Sequence, residues 1–242
     1  MDSAYGVLGS EGDVREWHYQ PVDKNYVVRE ARTLRELDQV HHITHESIVH
    51  AGYMDEVKGG RLITYPHLDT SPLTSILIAV DGDRVIGTNS LTADGPLKLH
   101  TDCYFSDETD AVRAEGRRLI SSFRIATDPT WLTHSSSALV MDIICFTFVL
   151  AFERFDFDTM LCTFNPKHEN LYRRLLAART LAHKEAISHG QVSAGAVLMR
   201  IDRESLPNRF LAQVQELRAH YLAPARRETP VTFATRSEMT AV

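Results

Sequence analysis

The sequence predicts a mixed α/β sheet with helices on both faces, and three observations support this prediction. Short apolar runs rich in valine and isoleucine alternate with helical patterns along most of the chain. One Asp-Gly turn joins two adjacent runs as a hairpin. Helical segments separate most of the other runs. Hairpins make antiparallel neighbours and helical crossovers allow parallel ones, so together they predict a mixed sheet.

The first elements follow from local signals. Residues 26–31 form the first predicted strand, with a β-branched pair between polar flanks. Thr33 and Glu36 have the spacing of a capping box, and helical apolar spacing continues to a stop at Gly52. Residues 53–73 contain two glycines in a row and two prolines, so we expect a loop.

The remaining elements carry equally local signals. Asp81-Gly82 is the predicted hairpin turn because this pair tolerates positive φ. Asp128-Pro129 closes a strand, and Ser135-Ser136-Ser137 caps a long apolar helix. The predicted elements are strands at 75–80 and 84–91, a partly helical link at 107–116, a strand at 119–127, a helix to about 155, a strand at 159–164, a helix at 167–178, strands at 180–188 and 194–202 and a helix at 205–221.

Composition limits the function classes. The 242 residues are 43% hydrophobic and 24% charged with a net charge of −6, which is typical of a soluble globular protein and disfavours nucleic acid as the main partner. The longest apolar run, 143–152, is too short to span a membrane, and no signal-peptide core precedes residue 24. Three cysteines without metal or disulfide spacing predict reduced thiols and a cytoplasmic location. We expect an N-terminal arm (1–24), one domain (25–203) and a C-terminal helix with tail (204–242).

The junction between the strand at 159–164 and the helix at 167–178 is the strongest functional signal. Pro166 ends the strand ladder and suits a helix start. A strand end that opens in this way is a natural ligand site in a mixed sheet.

Five segments resemble one family. Residues 116–126 are similar to the fourth-strand motif of long-chain N-acyl amino acid synthases and acyl-homoserine-lactone synthases, which are acyltransferases with the GNAT fold. Residues 165–174 resemble the NPxHxxFYRR signature of the amino acid synthases. Segments 52–54, 85–88 and 196–198 follow in the expected order, so the resemblance covers about 27–202.

The resemblance implies an activity. A synthase of this kind transfers a long acyl chain from the 4'-phosphopantetheine thioester of acyl carrier protein, or less often from coenzyme A, to the α-amine of an amino acid such as tyrosine. The amine attacks directly, without an acyl-enzyme. Acyl carrier protein is then the expected partner, with no tightly bound cofactor.

Two departures from the family pattern stand out. Ser121 replaces the glutamate that usually opens the fourth-strand motif. The RxxGxG loop that holds the diphosphate of coenzyme A is missing from 128–134, which favours the carrier protein as donor.

The resemblance and the chemistry of thioester aminolysis nominate site residues. Backbone N–H groups of the splayed fourth strand are candidate oxyanion donors, and an arginine there or in the preceding loop suits the substrate carboxylate. A histidine or carboxylate would serve as base, and a tyrosine would protonate the leaving thiolate. The catalytic candidates are His45, Glu46, Ser121 and Tyr172, and the substrate-binding candidates are Arg61, Ser122, Phe123, Arg124, Ile125, Asn165 and His168.

Ordinary structural roles compete with these assignments. Arg124 and Arg61 also suit surface ion pairs, His45 an ordinary helix face, and Tyr172 packing on the sheet. His41 and His45 have zinc-ligand spacing, but no third ligand follows, so we predict no metal site. Cys162 is expected in the core. Five phenylalanines line either an acyl tunnel or a packed core: Phe146, Phe148, Phe152, Phe155 and Phe157.

Two other functions fit the sequence. One is a short-chain acetyltransferase that uses acetyl-coenzyme A, against which the missing phosphate loop counts. The other is a non-catalytic module that binds acyl chains or carrier protein, which the loss of the glutamate at Ser121 supports.

Overall fold

A computed structural model describes residues 18–19, 24–131, 136–189 and 192–219. It contains one eight-stranded sheet with the order β1-β2-β3-β4-β5-β6-β8-β7. The strands are β1 His18–Tyr19, β2 Val27–Glu30, β3 Thr74–Asp81, β4 Arg84–Ala93, β5 Leu119–Thr127, β6 Thr159–Phe164, β7 Arg179–His189 and β8 Val192–Asp202. The α-helices are α1 Leu34–His50, α2 Pro66–Asp69, α3 Ser106–Arg113, α4 Ser136–Leu150, α5 Glu169–Leu176 and α6 Asn208–Ala219.

The sheet is mixed, as predicted. β5 and β6 are parallel, because α4 carries the chain across one face of the sheet between them. The other neighbouring strands are antiparallel.

Helices cover both faces, which confirms the predicted architecture. The side chains of β3 alternate between the two faces. Leu77 and Ala79 belong to the large core that contains α4 and α6, whereas Ile76 and Ile78 pack with α1. All four are 5% exposed or less, so neither face of the central sheet is open to water.

α1 begins where its capping signal predicts. Thr33 Oγ1 accepts a hydrogen bond from the Glu36 N–H, and the Glu36 carboxylate accepts one from the Thr33 N–H. The helix ends at His50, and Gly52 follows with φ +75°.

α4 packs closely against β4 because Gly87 has no side chain. A Cβ atom added at Gly87 would lie 2.6 Å from Ile143 Cδ1. This contact fixes α4 over the centre of the sheet, beside the strands that form the site.

The structure corrects several predicted boundaries. Asp81 still pairs with Arg84, so the hairpin turn is Gly82-Asp83, one residue later than predicted. The predicted loop 53–73 contains the short helix α2, which starts at a proline. The long apolar helix ends at Leu150, and a π-helical turn, Ala151–Phe155, replaces its predicted last turn.

Differences also occur near the termini. The predicted helix at 167–178 begins as a 3-10 turn, Pro166–His168, and α5 ends at Leu176. Most of the predicted N-terminal arm lies outside the described residues, but its His18–Tyr19 segment pairs with β2. The predicted C-terminal tail beyond 219 is likewise outside them. In the part of the chain that the structure describes, no helix has the length and apolar character needed to cross a membrane.

Candidate active site

A cavity lies where β5 and β6 separate. The two strands pair only from Leu119 with Thr159 to Ser122 with Cys162. After this point β5 stays with β4, while β6 stays with β8. The cavity that opens between them measures about 40 Å³ and is lined by Asn89, Ser122, Phe123, Arg124, Ile125, Ile144, Thr147, Phe148, Met160, Cys162, Thr163, Phe164, Tyr172, Leu176 and Ile201.

A β-bulge shapes the β5 wall of this cavity. Ser90 of β4 pairs with Phe123, and Thr88 pairs with Ala126, so Arg124 and Ile125 together lie opposite one residue of β4. Arg124 has φ +61°, in the left-handed region that non-glycine residues seldom adopt. Beyond Ser122, no described strand pairs with β5 on the side of the cavity. Backbone N–H groups of this segment that point to the cavity side therefore have no strand partner there.

The Arg124 side chain holds the bulge through a buried ion pair. Its guanidinium contacts both oxygens of Asp69 in α2, one of them at 3.1 Å, and its Nη2 donates to Ser90 Oγ at 2.9 Å. His41 Nε2 of α1 lies 3.1 Å from Asp69 Oδ2. Burial alone would raise the pKa of Asp69, but hydrogen bonds from His41 and Arg124 hold it below its ordinary value. The arginine is thus fully engaged inside the protein.

Tyr172 forms part of the opposite wall. It stacks on Phe164 with ring centroids 3.7 Å apart, and the side chain is 7% exposed. Burial, with a smaller effect from Cys162, raises the pKa of Tyr172 to about 12. The phenol therefore keeps its proton at neutral pH and is able to donate it. Cys162 beside it is buried, and burial raises its thiol pKa to about 12, as expected of a core residue.

The turn after β6 has the predicted strand-to-helix geometry. Asn165 Oδ1 accepts a hydrogen bond from the Lys167 N–H at 3.1 Å and so caps the 3-10 turn. His168 is exposed, but partial desolvation of its ring and the nearby charge of Lys167 lower its pKa. Neither Asn165 nor His168 lines the cavity in this structure.

Three other predicted site residues lie away from the cavity lining. His45 is buried on α1, where its Nε2 accepts the Val57 N–H at 3.2 Å, so the lone pair that a base would need is already occupied. Glu46 is exposed on the same helix. Arg61 forms an exposed ion pair with Asp38, with Nε 2.6 Å from Oδ1.

The structure brings together two polar groups that the sequence analysis missed. Asn89 Nδ2 donates to Ser122 Oγ at 2.9 Å and to Thr147 Oγ1 at 2.8 Å, which joins β4, β5 and α4. On the opposite face of β5, His100 lies 3.0 Å from Ser121 Oγ. No spacing rule marks these residues, since their partners are 21 to 58 positions away.

Of the five phenylalanines, only Phe148 lines the cavity. Phe146 and Phe157 are fully buried in the main core, and Phe152 stacks on Phe157 at 5.5 Å. Most of this group is therefore core. His41 contacts Asp69 rather than His45, and the described residues contain no group of three His, Cys, Asp or Glu side chains that could hold a metal ion.

The segment before α4 differs from a phosphate-binding loop. Asp128 Oδ1 accepts the backbone N–H of Thr130 at 2.7 Å and of Trp131 at 3.2 Å. Burial alone would raise the pKa of Asp128, but hydrogen bonds from Thr130 and Arg84 lower it, so the carboxylate stays charged. An anion of the protein itself therefore occupies these two amides. Residues 132–135, the rest of the predicted loop, lie outside the described residues.

Comparison with known proteins agrees with this geometry. The family profile described as N-acyl amino acid synthase FeeM matches residues 39–202, more than half of the chain. No curated protein sequence matches the chain.

Solved structures show the same fold. FeeM, an N-acyl amino acid synthase from uncultured soil microbes, is 24% identical, with a TM-score of 0.62 over 81% of this chain and 94% of that one. The coenzyme-A-dependent acyl-homoserine lactone synthase BjaI, solved with SAM and isopentyl-CoA, is 13% identical, with a TM-score of 0.55 over 84% of this chain and 92% of that one. Fold, cavity and family profile lead to one conclusion: the chain is an acyltransferase of the N-acyl amino acid synthase FeeM family.

Proposed function

We propose that the protein transfers a long fatty acyl chain from acyl carrier protein to the α-amine of an amino acid similar to tyrosine. The observation that carries this proposal is the cavity between β5 and β6. Free backbone donors lie on its β5 wall, a protonated tyrosine on the opposite wall, and apolar side chains deeper inside.

The chemistry follows from these walls. The thioester carbonyl lies against β5, where backbone N–H groups of the bulge from Phe123 to Ile125 stabilise the oxyanion as the amine attacks. A C–N bond forms and the C–S bond breaks. The nitrogen loses one proton and the leaving sulfur gains one, which Tyr172 donates. Tyr172 is then reprotonated by the proton released from the amine, so the protein is unchanged after each turnover.

The acyl chain requires a larger space than the structure shows. A volume of about 40 Å³ holds a few water molecules, so a long chain must displace side chains. The apolar lining from Ile144, Phe148, Met160 and Leu176 leads from the thioester position into the main core. We propose that the chain enters here, between α4 and the sheet, and that Phe148 moves to admit it.

The state of Asp128 supports a carrier protein as donor. The diphosphate of coenzyme A would meet a carboxylate at the Thr130 and Trp131 amides, which repels it. A carrier protein presents one phosphate at its own surface and does not need this site.

Carboxylate recognition falls to Arg61 in this proposal. Its partner Asp38 is 41% exposed, so exchanging that carboxylate for the carboxylate of a substrate costs little. Arg124 instead holds the shape of the β5 wall, because releasing Asp69 to bind a substrate would leave the buried Asp69 carboxylate unpaired. We retain His45 and Glu46 as candidates to take the amine proton, whereas Ser121 is fully buried against His100, does not line the cavity and acts through that contact. For His45 this requires the hydrogen bond from the Val57 N–H to break.

The test is mass spectrometry of lipid extracts from bacteria that express the chain. Wild-type cells are expected to contain new ions with the masses of fatty-acyl amino acids, and Tyr172→Phe cells about 100-fold less. Tyr26→Phe is the matched control, because its hydroxyl donates to Asp142 at 2.6 Å and does not line the cavity. Purified enzyme should then prefer an acyl carrier protein thioester to the coenzyme A thioester of the same chain. A folded protein that forms no product with either donor across the amino acids would refute the proposal.

A further inference from the structure

The buried imidazole of His100 bridges two hydroxyl groups at the point where β5 and β6 separate. Its Nδ1 lies 3.0 Å from Ser121 Oγ on β5, and its Nε2 lies 3.0 Å from Thr163 Oγ1 on β6. The side chain is 1% exposed. Since Thr163 also lines the cavity, the hydrogen bonds that join Ser121, His100 and Thr163 reach the candidate site.

The surroundings keep the ring neutral. Phe123 stacks on it at 5.0 Å, and Tyr65 meets it edge-on at 5.7 Å. Burial lowers the pKa of His100 to about 3, although Asp102 acts in the opposite direction. A neutral imidazole has one N–H and one lone pair, so it donates to one of the two hydroxyls and accepts from the other.

Hydrogen-bond satisfaction selects one of the two directions. Ser121 is fully buried, and its Oγ has no partner other than His100 among the described contacts. If His100 donated to Ser121, the serine proton would be buried without an acceptor, which is unfavourable. If Ser121 donates to Nδ1, the ring carries its proton on Nε2 and donates it to Thr163 Oγ1. The hydroxyl proton of Thr163 is then free to point into the cavity.

We propose that His100 is a positioning residue that directs the Thr163 hydroxyl proton toward the thioester carbonyl oxygen. The inference rests on the proposed acyl transfer. Thr163 is the catalytic donor: its hydrogen bond strengthens as the carbonyl oxygen becomes negative, alongside the backbone donors of β5. No proton moves to or from His100. Ser121 and His100 together take the place of the glutamate in the family motif, without its negative charge.

A double-mutant cycle on the purified enzyme tests whether His100 acts through Thr163. Thr163→Val should lower kcat about 100-fold, and Thr163→Ser should retain most of it. His100→Gln should lower kcat about tenfold with an unchanged KM for the amino acid, since the donor is misaligned rather than lost. In the double variant, His100→Gln should add nothing to the effect of Thr163→Val. Thr88→Val is the matched control, because Thr88 is a buried threonine that donates to Leu77 O at 2.8 Å and does not line the cavity.

The outcomes separate the inference from the function on which it rests. Multiplicative losses in the double variant would show that His100 does not act through Thr163, and would overturn the inference. A lower melting temperature with unchanged kcat in His100→Gln would do the same, because the role would then be structural. If the folded wild type forms no product, the proposed function fails, and this inference fails with it.

A second measurement does not depend on turnover. Nitrogen-15 NMR of the protein labelled at histidine distinguishes the two neutral tautomers and the cation. The expected His100 signal is the Nε2–H tautomer at pH 7, assigned by its absence in His100→Gln. A signal from the Nδ1–H tautomer or the imidazolium would overturn the inference even in an active enzyme.

Discussion

Replacing Asp69 by alanine leaves a guanidinium buried without its carboxylate. The Arg124 side chain is 1% exposed and that of Asp69 is fully buried, so solvent does not replace the lost partner. Among the described residues, Ser90 Oγ, 2.9 Å from Nη2, and the Phe123 ring, whose centroid lies 5.3 Å from the guanidinium carbon, remain as partners of Arg124. Removing one partner of a buried pair costs about 3 to 5 kcal/mol, and we expect Asp69→Ala to lower the free energy of unfolding by this amount.

The assay is urea denaturation followed by circular dichroism and fluorescence, which must coincide if unfolding is two-state. Asp69→Asn keeps a hydrogen-bond acceptor but loses the charge, so it should lower the free energy of unfolding less than Asp69→Ala does. Arg61→Ala is the matched control, because that arginine also pairs with an aspartate through two nitrogens but is 42% exposed. Arg61→Ala should lower the free energy of unfolding by less than about 1 kcal/mol, and added salt should reduce this decrease. Salt should not reduce the decrease caused by Asp69→Ala.

The pH dependence has a defined sign. The pKa of Asp69 is lower in the folded protein than in the unfolded chain. Its contribution is therefore complete above the unfolded pKa of about 4 and is lost as the pH falls through the folded value. A loss below about 1 kcal/mol for Asp69→Ala at pH 7 would refute the reasoning, because breaking a buried ion pair costs at least about 3 kcal/mol.

Three further predictions follow from other contacts. Gly87→Ala should lower the free energy of unfolding by about 1 to 3 kcal/mol, because the new Cβ would lie 2.6 Å from Ile143 Cδ1. Urea titration measures this loss, which should be smaller in an Ile143→Val background; equal losses would contradict the clash. The pKa of His100 is about 3 in the folded protein and about 6.5 in the unfolded chain. Between these two pH values the unfolded chain binds one more proton than the folded protein, so the free energy of unfolding decreases as the pH falls. The stability difference between wild type and His100→Gln should therefore shrink by about 1.4 kcal/mol per pH unit below pH 6, and a constant difference would show that the folded ring also protonates. Asp128→Asn removes the negative charge beside the Thr130 and Trp131 amides. The KM for an acyl-coenzyme A should therefore fall severalfold, while the KM for the acyl carrier protein donor stays constant. An equal change in the two KM values would argue against a role of Asp128 in donor selection.

Local signals predict the elements of this fold well. The Thr33 and Glu36 capping box starts α1, and strand β5 has the predicted bounds. Both depend on neighbours within a few positions, which the sequence displays directly. The predicted α-helix at 167–178 was wrong at both ends, because Asn165 caps a 3-10 turn first and Ala177 adopts φ +53°.

The candidate site was predicted only in part. The family motifs identify β5 and the turn after β6, and Tyr172 does line the cavity. The partner of Arg124 was not predictable, since Asp69 lies 55 positions away on a short helix that the loop composition conceals. Burial also changes what the residue types imply, because His45 is a helix-face histidine in the sequence but a hydrogen-bond acceptor for a loop amide in the fold.

The sequence by itself determined the order of the main strands and helices, the family and the strand that forms one wall of the cavity, because periodicity, caps and motifs are properties of neighbouring residues. Tertiary structure alone decided which side chains meet. The register of β5 against β6 places Ser121 and Thr163 within reach of His100, across 63 positions of the chain. Such contacts depend on how whole elements pack, since a shift of one residue in a strand reverses every side chain.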